Sequence, residues 1–290
     1  MSLIEQALLR VKRAAGQDVA LEPRRGPIAS LELDGIAGAT SATRLIIDLN
    51  SLRAAGYLPE VEMDRQFADQ YRQIKHPLIK KALAVGAADD DSRVIMVTSA
   101  IAGDGKTFTS INLALSMARE RDVNVLLIDA DSPKPHVSRI FGLQGEPGLL
   151  DALVDDTVAV QSLVVPTDVR GLSVLPAGTP AAGSTELLNS KRMRQIIKTL
   201  SQDPRRILLL DSAPLLVTTE GRALMSVVGQ IVLVVRAGQT PTQAVQDAIA
   251  LFGEHQAGGI VLNDAKIGVL DRYSGYGTYG TYGDAGLAKQ

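Results

Sequence analysis

The residues best suited to chemistry stand at 94–107, in the sequence VIMVTSAIAGDGKT. A short apolar run is followed there by a loop of small residues that ends in Gly-Lys-Thr. Loops of this type wrap a polyphosphate with backbone N–H groups, the lysine reaches the outer phosphates, and the threonine hydroxyl can bind Mg²⁺. Ala100 stands where the strict pattern G-x-x-x-x-G-K-[ST] has its first glycine. The nucleotide-binding residues that we predict here are Ala102, Gly103, Asp104, Gly105, Lys106, Thr107 and Phe108.

Aspartates follow two further apolar runs. Residues 125–128 lead into Asp129 and Asp131, and residues 207–210 lead into Asp211. An aspartate at a strand end can simply cap the next turn. Three of them on two strands, beside a phosphate loop on a third, instead favour a nucleotide site in which carboxylates bind Mg²⁺ directly or through water. The metal ligands that we predict are Thr107, Asp131 and Asp211.

Apolar runs and helical patterns alternate along most of the chain. The apolar runs are nearly continuous, which is typical of buried parallel strands, and they lie at 94–97, 123–128, 172–175, 207–210, 231–235 and 260–262. Helical patterns lie at 61–85, with Pro77 as a point of kinking, and at 107–120, 190–201 and 242–252. This alternation predicts an α/β fold of the P-loop NTPase type, a doubly wound, mostly parallel sheet with helices on both faces.

Composition excludes several other classes of protein. A formal charge of −2 gives no electrostatic signature of nucleic-acid binding, so we expect no nucleic-acid partner. The absence of cysteine excludes disulfides, thiolate catalysis and cysteine-ligated zinc. No apolar run reaches the roughly 18–20 residues that span a bilayer, and the first sixteen residues lack the apolar core of a signal peptide. We therefore expect a cytoplasmic protein.

The chain divides into three parts. Residues 1–42 are expected to form an amphipathic helix at 3–14 and a linker at 16–42, and the helix would pack on its own domain or dock to another protein or a membrane. Residues 43–268 are expected to form the P-loop domain. Residues 269–290 are predicted to be a flexible tail, because glycine is frequent and other large apolar side chains are scarce around Tyr273, Tyr276, Tyr279 and Tyr282. A low-complexity tail without function is the alternative.

These motifs resemble those of the bacterial tyrosine autokinases (BY-kinases), P-loop enzymes of exopolysaccharide biosynthesis, and in particular the type associated with exosortase (PEP-CTERM) and chain-length-determinant loci. The resemblance covers nearly the whole chain: MSLIE at the start, the phosphate loop, VLLIDAD, LPAG, ELL, ILLLD, VLN and the tyrosine tail. Two runs depart from the usual pattern. Asp-Ser-Ala-Pro at 211–214 replaces a double proline, and Ala-Gly-Asp-Gly at 102–105 replaces Pro-Gly-Glu-Gly.

The resemblance implies that ATP, bound with Mg²⁺, phosphorylates the tail, so the phosphoacceptors are Tyr273, Tyr276, Tyr279 and Tyr282. The catalytic residues implied are Lys106, Asp129, Asp131 and Asp211, with Asp129 orienting or deprotonating the tyrosine hydroxyl. Asn263 is expected to touch the adenine.

The resemblance also implies partners. A ring-like homo-oligomer would use a Glu-x-x-Arg-x-x-Arg motif that is present here as Asp69, Arg72 and Lys75. An inner-membrane chain-length determinant (polysaccharide copolymerase) protein would activate the kinase and hold it at the membrane periphery. The kinase would in turn regulate exopolysaccharide polymerisation and export.

Two other functions stay open at this point. Partitioning and division-site ATPases share the fold, but they carry a second lysine at the position of Ile101. A nucleotide-dependent scaffold would use the phosphate loop only to stabilise the fold. A kinase of the eukaryotic type is excluded, since the chain contains no His-Arg-Asp or Asp-Phe-Gly triplet.

Overall fold

The computed structural model describes residues 29–33, 43–84, 90–253 and 256–265. The helix predicted at 3–14 and the tyrosine tail lie outside these residues. The strands are β1 Ala29–Leu33, β2 Thr43–Ile47, β3 Val94–Ser99, β4 Asn124–Ala130, β5 Val165–Pro166, β6 Leu172–Leu175, β7 Arg206–Ser212, β8 Gln230–Arg236 and β9 Ala257–Asn263. The α-helices are α1 Leu49–Ala54, α2 Asp64–Ala82, α3 Lys106–Met117, α4 His136–Ile140, α5 Leu149–Val154, α6 Ser184–Leu188, α7 Lys191–Leu200, α8 Thr219–Leu224 and α9 Thr242–Ile249.

Seven strands form one sheet in the order β5-β6-β4-β7-β3-β8-β9. All neighbours are parallel except β5, which runs antiparallel to β6. Each of the six apolar runs forms one of the parallel strands, so the predicted α/β fold with a doubly wound sheet is confirmed.

Helices cover both faces of this sheet. Neighbouring residues of a strand point to opposite faces, so each strand contributes to two apolar layers. Leu208 and Leu210 of β7 join the layer that contains residues of α5 and α7. Ile207 and Leu209 join the layer on the opposite face, which contains residues of α2 and α3. This burial on both faces is why the strands are continuously apolar in sequence.

One segment differs from its prediction. Residues 29–33, which fall in the predicted linker, form β1 and pair antiparallel with β2, where Leu31 lies opposite Leu45. The glycine and proline content of 16–42 indicated a loop, but the alternating sequence of β1 is sufficient for a strand once β2 supplies hydrogen bonds. In the part of the chain that the structure describes, no helix has both the length and the apolar character to cross a membrane.

Candidate active site

The loop between β3 and α3 has the backbone of a phosphate-binding loop. Gly103 and Gly105 adopt φ angles of 91° and 94°, in the left-handed region that favours glycine. A Cβ atom on Gly105 would lie 2.0 Å from Nδ2 of Asn263. The same Nδ2 donates to the carbonyl oxygen of Asp104 at 2.9 Å. Asn263 therefore holds the loop against the end of β9, and only glycine fits at position 105.

Lys106, at the end of this loop, lies close to Asp131. Lys106 is the first residue of α3 and is 8% exposed, and its Nζ lies 3.6 Å from Oδ2 of Asp131. The carboxylate also accepts a hydrogen bond from the backbone N–H of Lys134, and burial raises its pKa. A separation of 3.6 Å exceeds that of a tight charge-assisted hydrogen bond. The ammonium group is therefore held near the helix N-terminus, where an anion would be favoured, without a strong partner.

Asp211, at the end of β7, organises the first turn of α3. Its two oxygens accept hydrogen bonds from Thr107 Oγ1 and Ser110 Oγ, each at 2.8 Å. The side chain is fully buried, and burial raises its pKa to about 6, although the charge of Lys106 opposes the rise. Because the Thr107 hydroxyl donates its hydrogen bond to Asp211, the lone pairs of its oxygen are free to bind a cation.

Asp129 lies beside Asp211, since the two residues are register partners of β4 and β7. Its Oδ2 accepts hydrogen bonds from the N–H and the hydroxyl of Ser138, both at 2.7 Å. Its Oδ1 is buried and has no hydrogen-bond partner among the described residues. Burial, followed by the charge of Asp211, raises the pKa of Asp129 to about 7. A fixed carboxylate with one free oxygen and a pKa near neutrality can accept a proton from a substrate.

The oxygen atoms of this site fit Mg²⁺ bound together with a polyphosphate. Thr107, Asp131 and Asp211 offer oxygen ligands, which Mg²⁺ prefers. Among the described residues, however, no group of three or more His, Cys, Asp or Glu side chains could hold a metal by itself. Phosphate oxygens and water must therefore complete an octahedral shell, so the residues fit a metal–nucleotide complex better than a free ion.

The remaining predicted loop residues have structural contacts of their own. The buried Asp104 accepts a hydrogen bond from Thr240 Oγ1 at 2.8 Å, and its second oxygen has no partner among the described residues. Phe108 packs edge-on against Phe67 of α2, with ring centroids 6.2 Å apart. Asn263 uses one of its two amide hydrogens on the loop, so its second N–H and its oxygen are left for the predicted contact with adenine.

The predicted oligomer motif is not a uniform surface. Asp69 and Arg72 are exposed and form an ion pair at 2.8 Å. Lys75 is only 7% exposed, and its Nζ contacts the carbonyl oxygen of Ser116 and the carboxylate of Glu120, each at 2.7 Å. The assignment of Lys75 to an interface between chains is therefore corrected: this residue ties α2 to the C-terminal end of α3, where a cation is favoured.

Two residues that contribute to the site, Ser110 and Ser138, were not predicted from the sequence. Ser110 stands three residues after Thr107, on the same side of α3, and that spacing could have identified it. Ser138 lies nine residues after Asp129, on a different element, and no local pattern links the two.

Comparisons with known proteins agree with this geometry. Residues 92–256 match the AAA domain family. Tyrosine-protein kinase YwqD of Bacillus subtilis (strain 168) is 30% identical over 213 residues, which cover 72% of this chain and 86% of that protein. The crystal structure of the VpsO kinase domain is 29% identical, with a TM-score of 0.56, over 68% of this chain and 97% of that one.

Other relatives are much longer. The succinoglycan biosynthesis transport protein ExoP of Rhizobium meliloti (strain 1021) is 28% identical over 65% of this chain, but the match covers 24% of ExoP. A tyrosine-protein kinase of Acinetobacter johnsonii is matched over 22% of its length. This chain therefore spans less than a quarter of the length of these two relatives. On the family match and the likeness to YwqD, the chain belongs to the bacterial tyrosine-protein kinases, whose AAA-type P-loop domain it contains.

Proposed function

We propose that this chain is an autokinase that transfers the γ-phosphoryl group of ATP to the tyrosines of its own C-terminal tail or of the tail of a second copy. The acceptors are Tyr273, Tyr276, Tyr279 and Tyr282. The observation that carries the proposal is Asp129. This buried carboxylate is fixed through one oxygen and free at the other, directly beside the phosphate loop and its magnesium ligands.

Binding would use groups that are already in position. The loop N–H groups and Lys106 would hold the β- and γ-phosphates, and Lys106 can turn from Asp131 because that contact is long. Thr107 would bind Mg²⁺ directly, with Asp131 and Asp211 binding it directly or through water. The bound Mg²⁺–ATP supplies the phosphoryl group, and the metal neutralises its charge during transfer.

Transfer requires the tyrosine hydroxyl to lose a proton as its oxygen bonds to phosphorus. Asp129 accepts this proton on Oδ1, while Ser138 keeps the carboxylate from rotating. The bond between the γ-phosphorus and its bridging oxygen breaks, and ADP leaves. Positioning and charge neutralisation provide most of the acceleration in this class of reaction.

The biological setting is part of the same proposal. We place the kinase in the cytoplasm, bound to an inner-membrane chain-length determinant (polysaccharide copolymerase) protein and regulating exopolysaccharide production in an exosortase-associated locus. The polysaccharide-transport name of ExoP supports this setting. A homo-oligomer would use Asp69 and Arg72, which are exposed, but not Lys75.

Incubation of the protein with Mg²⁺ and ATP that carries a radioactive γ-phosphate, followed by measurement of the label on the protein, tests the proposal. The wild-type protein should become labelled, Lys106→Met should not, and Lys191→Met, which changes an exposed lysine, should behave like the wild type. Release of inorganic phosphate alone would indicate an ATPase of the partitioning type, although Ile101 packs against the core where that class needs a lysine. If the protein is not labelled and no phosphate is released, it is a scaffold. Either the ATPase outcome or the scaffold outcome would overturn the proposal.

A further inference from the structure

The loop between β8 and α9 reaches the phosphate loop through the side chain of Thr240. This residue stands two positions before α9, and its Oγ1 donates a hydrogen bond to Oδ1 of Asp104 at 2.8 Å. The same oxygen accepts a hydrogen bond from the backbone N–H of Arg236, also at 2.8 Å. A backbone N–H can only donate, so the hydrogen of the hydroxyl group is left for the carboxylate. Arg236 therefore fixes the direction in which Thr240 donates.

The carboxylate of Asp104 depends on this contact. Asp104 is only 2% exposed, and its second oxygen, Oδ2, has no hydrogen-bond partner among the described residues. Thr240 is thus the only donor to this carboxylate in the part of the chain that the structure describes. Leaving a buried polar group without a hydrogen bond is costly, because water does not take the place of the lost donor. Removal of the Thr240 hydroxyl should therefore displace Asp104.

Asp104 stands where the backbone of the phosphate loop is least restricted. Its neighbours Gly103 and Gly105 both have positive φ angles, and glycine has access to more backbone conformations than any other residue. The N–H groups of this stretch are the ones that wrap a polyphosphate in loops of this type. Because the two glycines do not restrict the backbone themselves, contacts from outside the loop must hold these N–H groups in place.

Two neighbouring elements hold Asp104 from outside the loop. Thr240 binds its side chain, and Nδ2 of Asn263, at the end of β9, donates to its main-chain carbonyl oxygen at 2.9 Å. The two elements are also joined to each other, since the guanidinium group of Arg236 contacts the Asp264 carboxylate at 3.0 and 3.1 Å. The ends of β8 and β9 therefore form one support that binds both the side chain and the main chain of Asp104.

We propose that Thr240 is a positioning residue for nucleotide binding. Acting through Asp104, it holds the N–H groups of residues 103–106 in the directions that the phosphates of a nucleotide require. The loop then has its binding shape before the phosphates arrive, so binding does not include the free-energy cost of ordering it. This inference rests on the nucleotide binding of the proposed function, but not on transfer of phosphate to tyrosine.

Affinity for a nucleotide tests the role of the hydroxyl group. Thr240→Val replaces the hydroxyl with a methyl group of similar size and should raise the Kd for a fluorescent ATP analogue on the order of tenfold. Thr240→Ser keeps the hydroxyl, so its Kd should stay within about twofold of the wild-type value. The matched control is Thr242→Val, which changes an exposed threonine at the start of α9 and should leave the Kd unchanged.

A double-mutant cycle tests whether Thr240 acts through Asp104. In an Asp104→Ala background the hydrogen bond is already absent, so the further change Thr240→Val should alter the Kd by less than about twofold. Hydrogen exchange in the ligand-free protein gives a second measurement. The amides of residues 103–106 should exchange roughly tenfold faster in Thr240→Val than in the wild type, and Thr242→Val should not change them. A role in stability alone would lower the melting temperature and leave the Kd of the folded protein unchanged.

Three results would overturn the inference: a wild-type Kd or wild-type amide exchange in Thr240→Val, equal weakening by Thr240→Ser and Thr240→Val, or the same fold-change in Kd when Asp104 is already alanine. None of these measurements involves phosphoryl transfer. A wild-type protein that binds the analogue but does not phosphorylate its tail would overturn the proposed function alone, so the two failures are distinguishable.

Discussion

Replacing Asp129 with asparagine should stabilise the ligand-free protein while it abolishes phosphoryl transfer. The carboxylate is buried, only one of its oxygens has hydrogen-bond partners among the described residues, and burial raises its pKa from 3.8 to about 7. Asparagine keeps an oxygen acceptor for Ser138 and carries no charge. The site thus holds a charge that the fold alone does not favour.

The size of the effect follows from the pKa. Because the folded-state pKa of Asp129 is above the unfolded value of 3.8, the folded state binds the proton more tightly and loses stability as pH rises from about 4 to about 7. The full shift corresponds to at most about 4 kcal/mol above pH 7. An amide N–H group left without an acceptor in the variant offsets roughly 1–3 kcal/mol of this gain at every pH. The pH-dependent part is therefore the cleaner quantity to measure.

Urea unfolding without nucleotide, at pH 8 and at pH 5, measures that part. The advantage of Asp129→Asn over the wild type should shrink by about 3 kcal/mol between pH 8 and pH 5. Asp151→Asn is the control of opposite sign: burial raises the pKa of Asp151, but hydrogen bonds from Gly148 and Thr179 outweigh burial and hold it below its usual value. That variant should be destabilised at pH 8. An advantage for Asp129→Asn that does not change with pH would refute the reasoning.

Three further substitutions test the geometry of the site. Gly105→Ala should abolish binding of a fluorescent ATP analogue, because its Cβ atom would collide with the Asn263 amide that holds the loop. Gly103→Ala has open space around the added Cβ atom and should cost only about 1–2 kcal/mol of stability from its positive φ angle. Equal binding of the analogue by both variants would contradict this account. Lys75→Met should lower the free energy of unfolding in urea by about 2 kcal/mol, since it leaves the partly buried carbonyl of Ser116 without this donor. Lys80→Met on the exposed face should change it by less than about 0.5 kcal/mol. Ser138→Ala should lower the kcat of tail phosphorylation by roughly 10-fold or more and leave KM for ATP within about twofold, because it frees the proton acceptor without touching the phosphate loop; an unchanged kcat would remove Ser138 from the mechanism.

Local signals in the sequence predicted most of what positions the site. The six parallel strands are continuous apolar runs because both of their faces are buried, and the aspartates follow them because the sheet ends there. β1, β2 and β5 were not predicted. Each lies at an edge and depends on hydrogen bonds from a neighbouring strand rather than on its own apolar pattern.

Contacts between distant residues could not be predicted in this way. Thr240 lies 136 residues from Asp104, to which it donates a hydrogen bond, and nothing in either local sequence indicates the pair. For Lys75, by contrast, a local sequence pattern was present but indicated the wrong role. Its charge and spacing match an interface motif, but its burial against Ser116 is decided by how α2 packs on α3.

The most direct test of the central claim is a map of phosphotyrosine by mass spectrometry, after dephosphorylated protein is incubated with Mg²⁺ and ATP. The chain contains six tyrosines, and two of them, Tyr57 and Tyr71, lie in the P-loop domain and serve as internal controls. The account predicts phosphate on the tail tyrosines at 273, 276, 279 and 282 and none on the two controls. Consumption of ATP without phosphate on any tail tyrosine would contradict it.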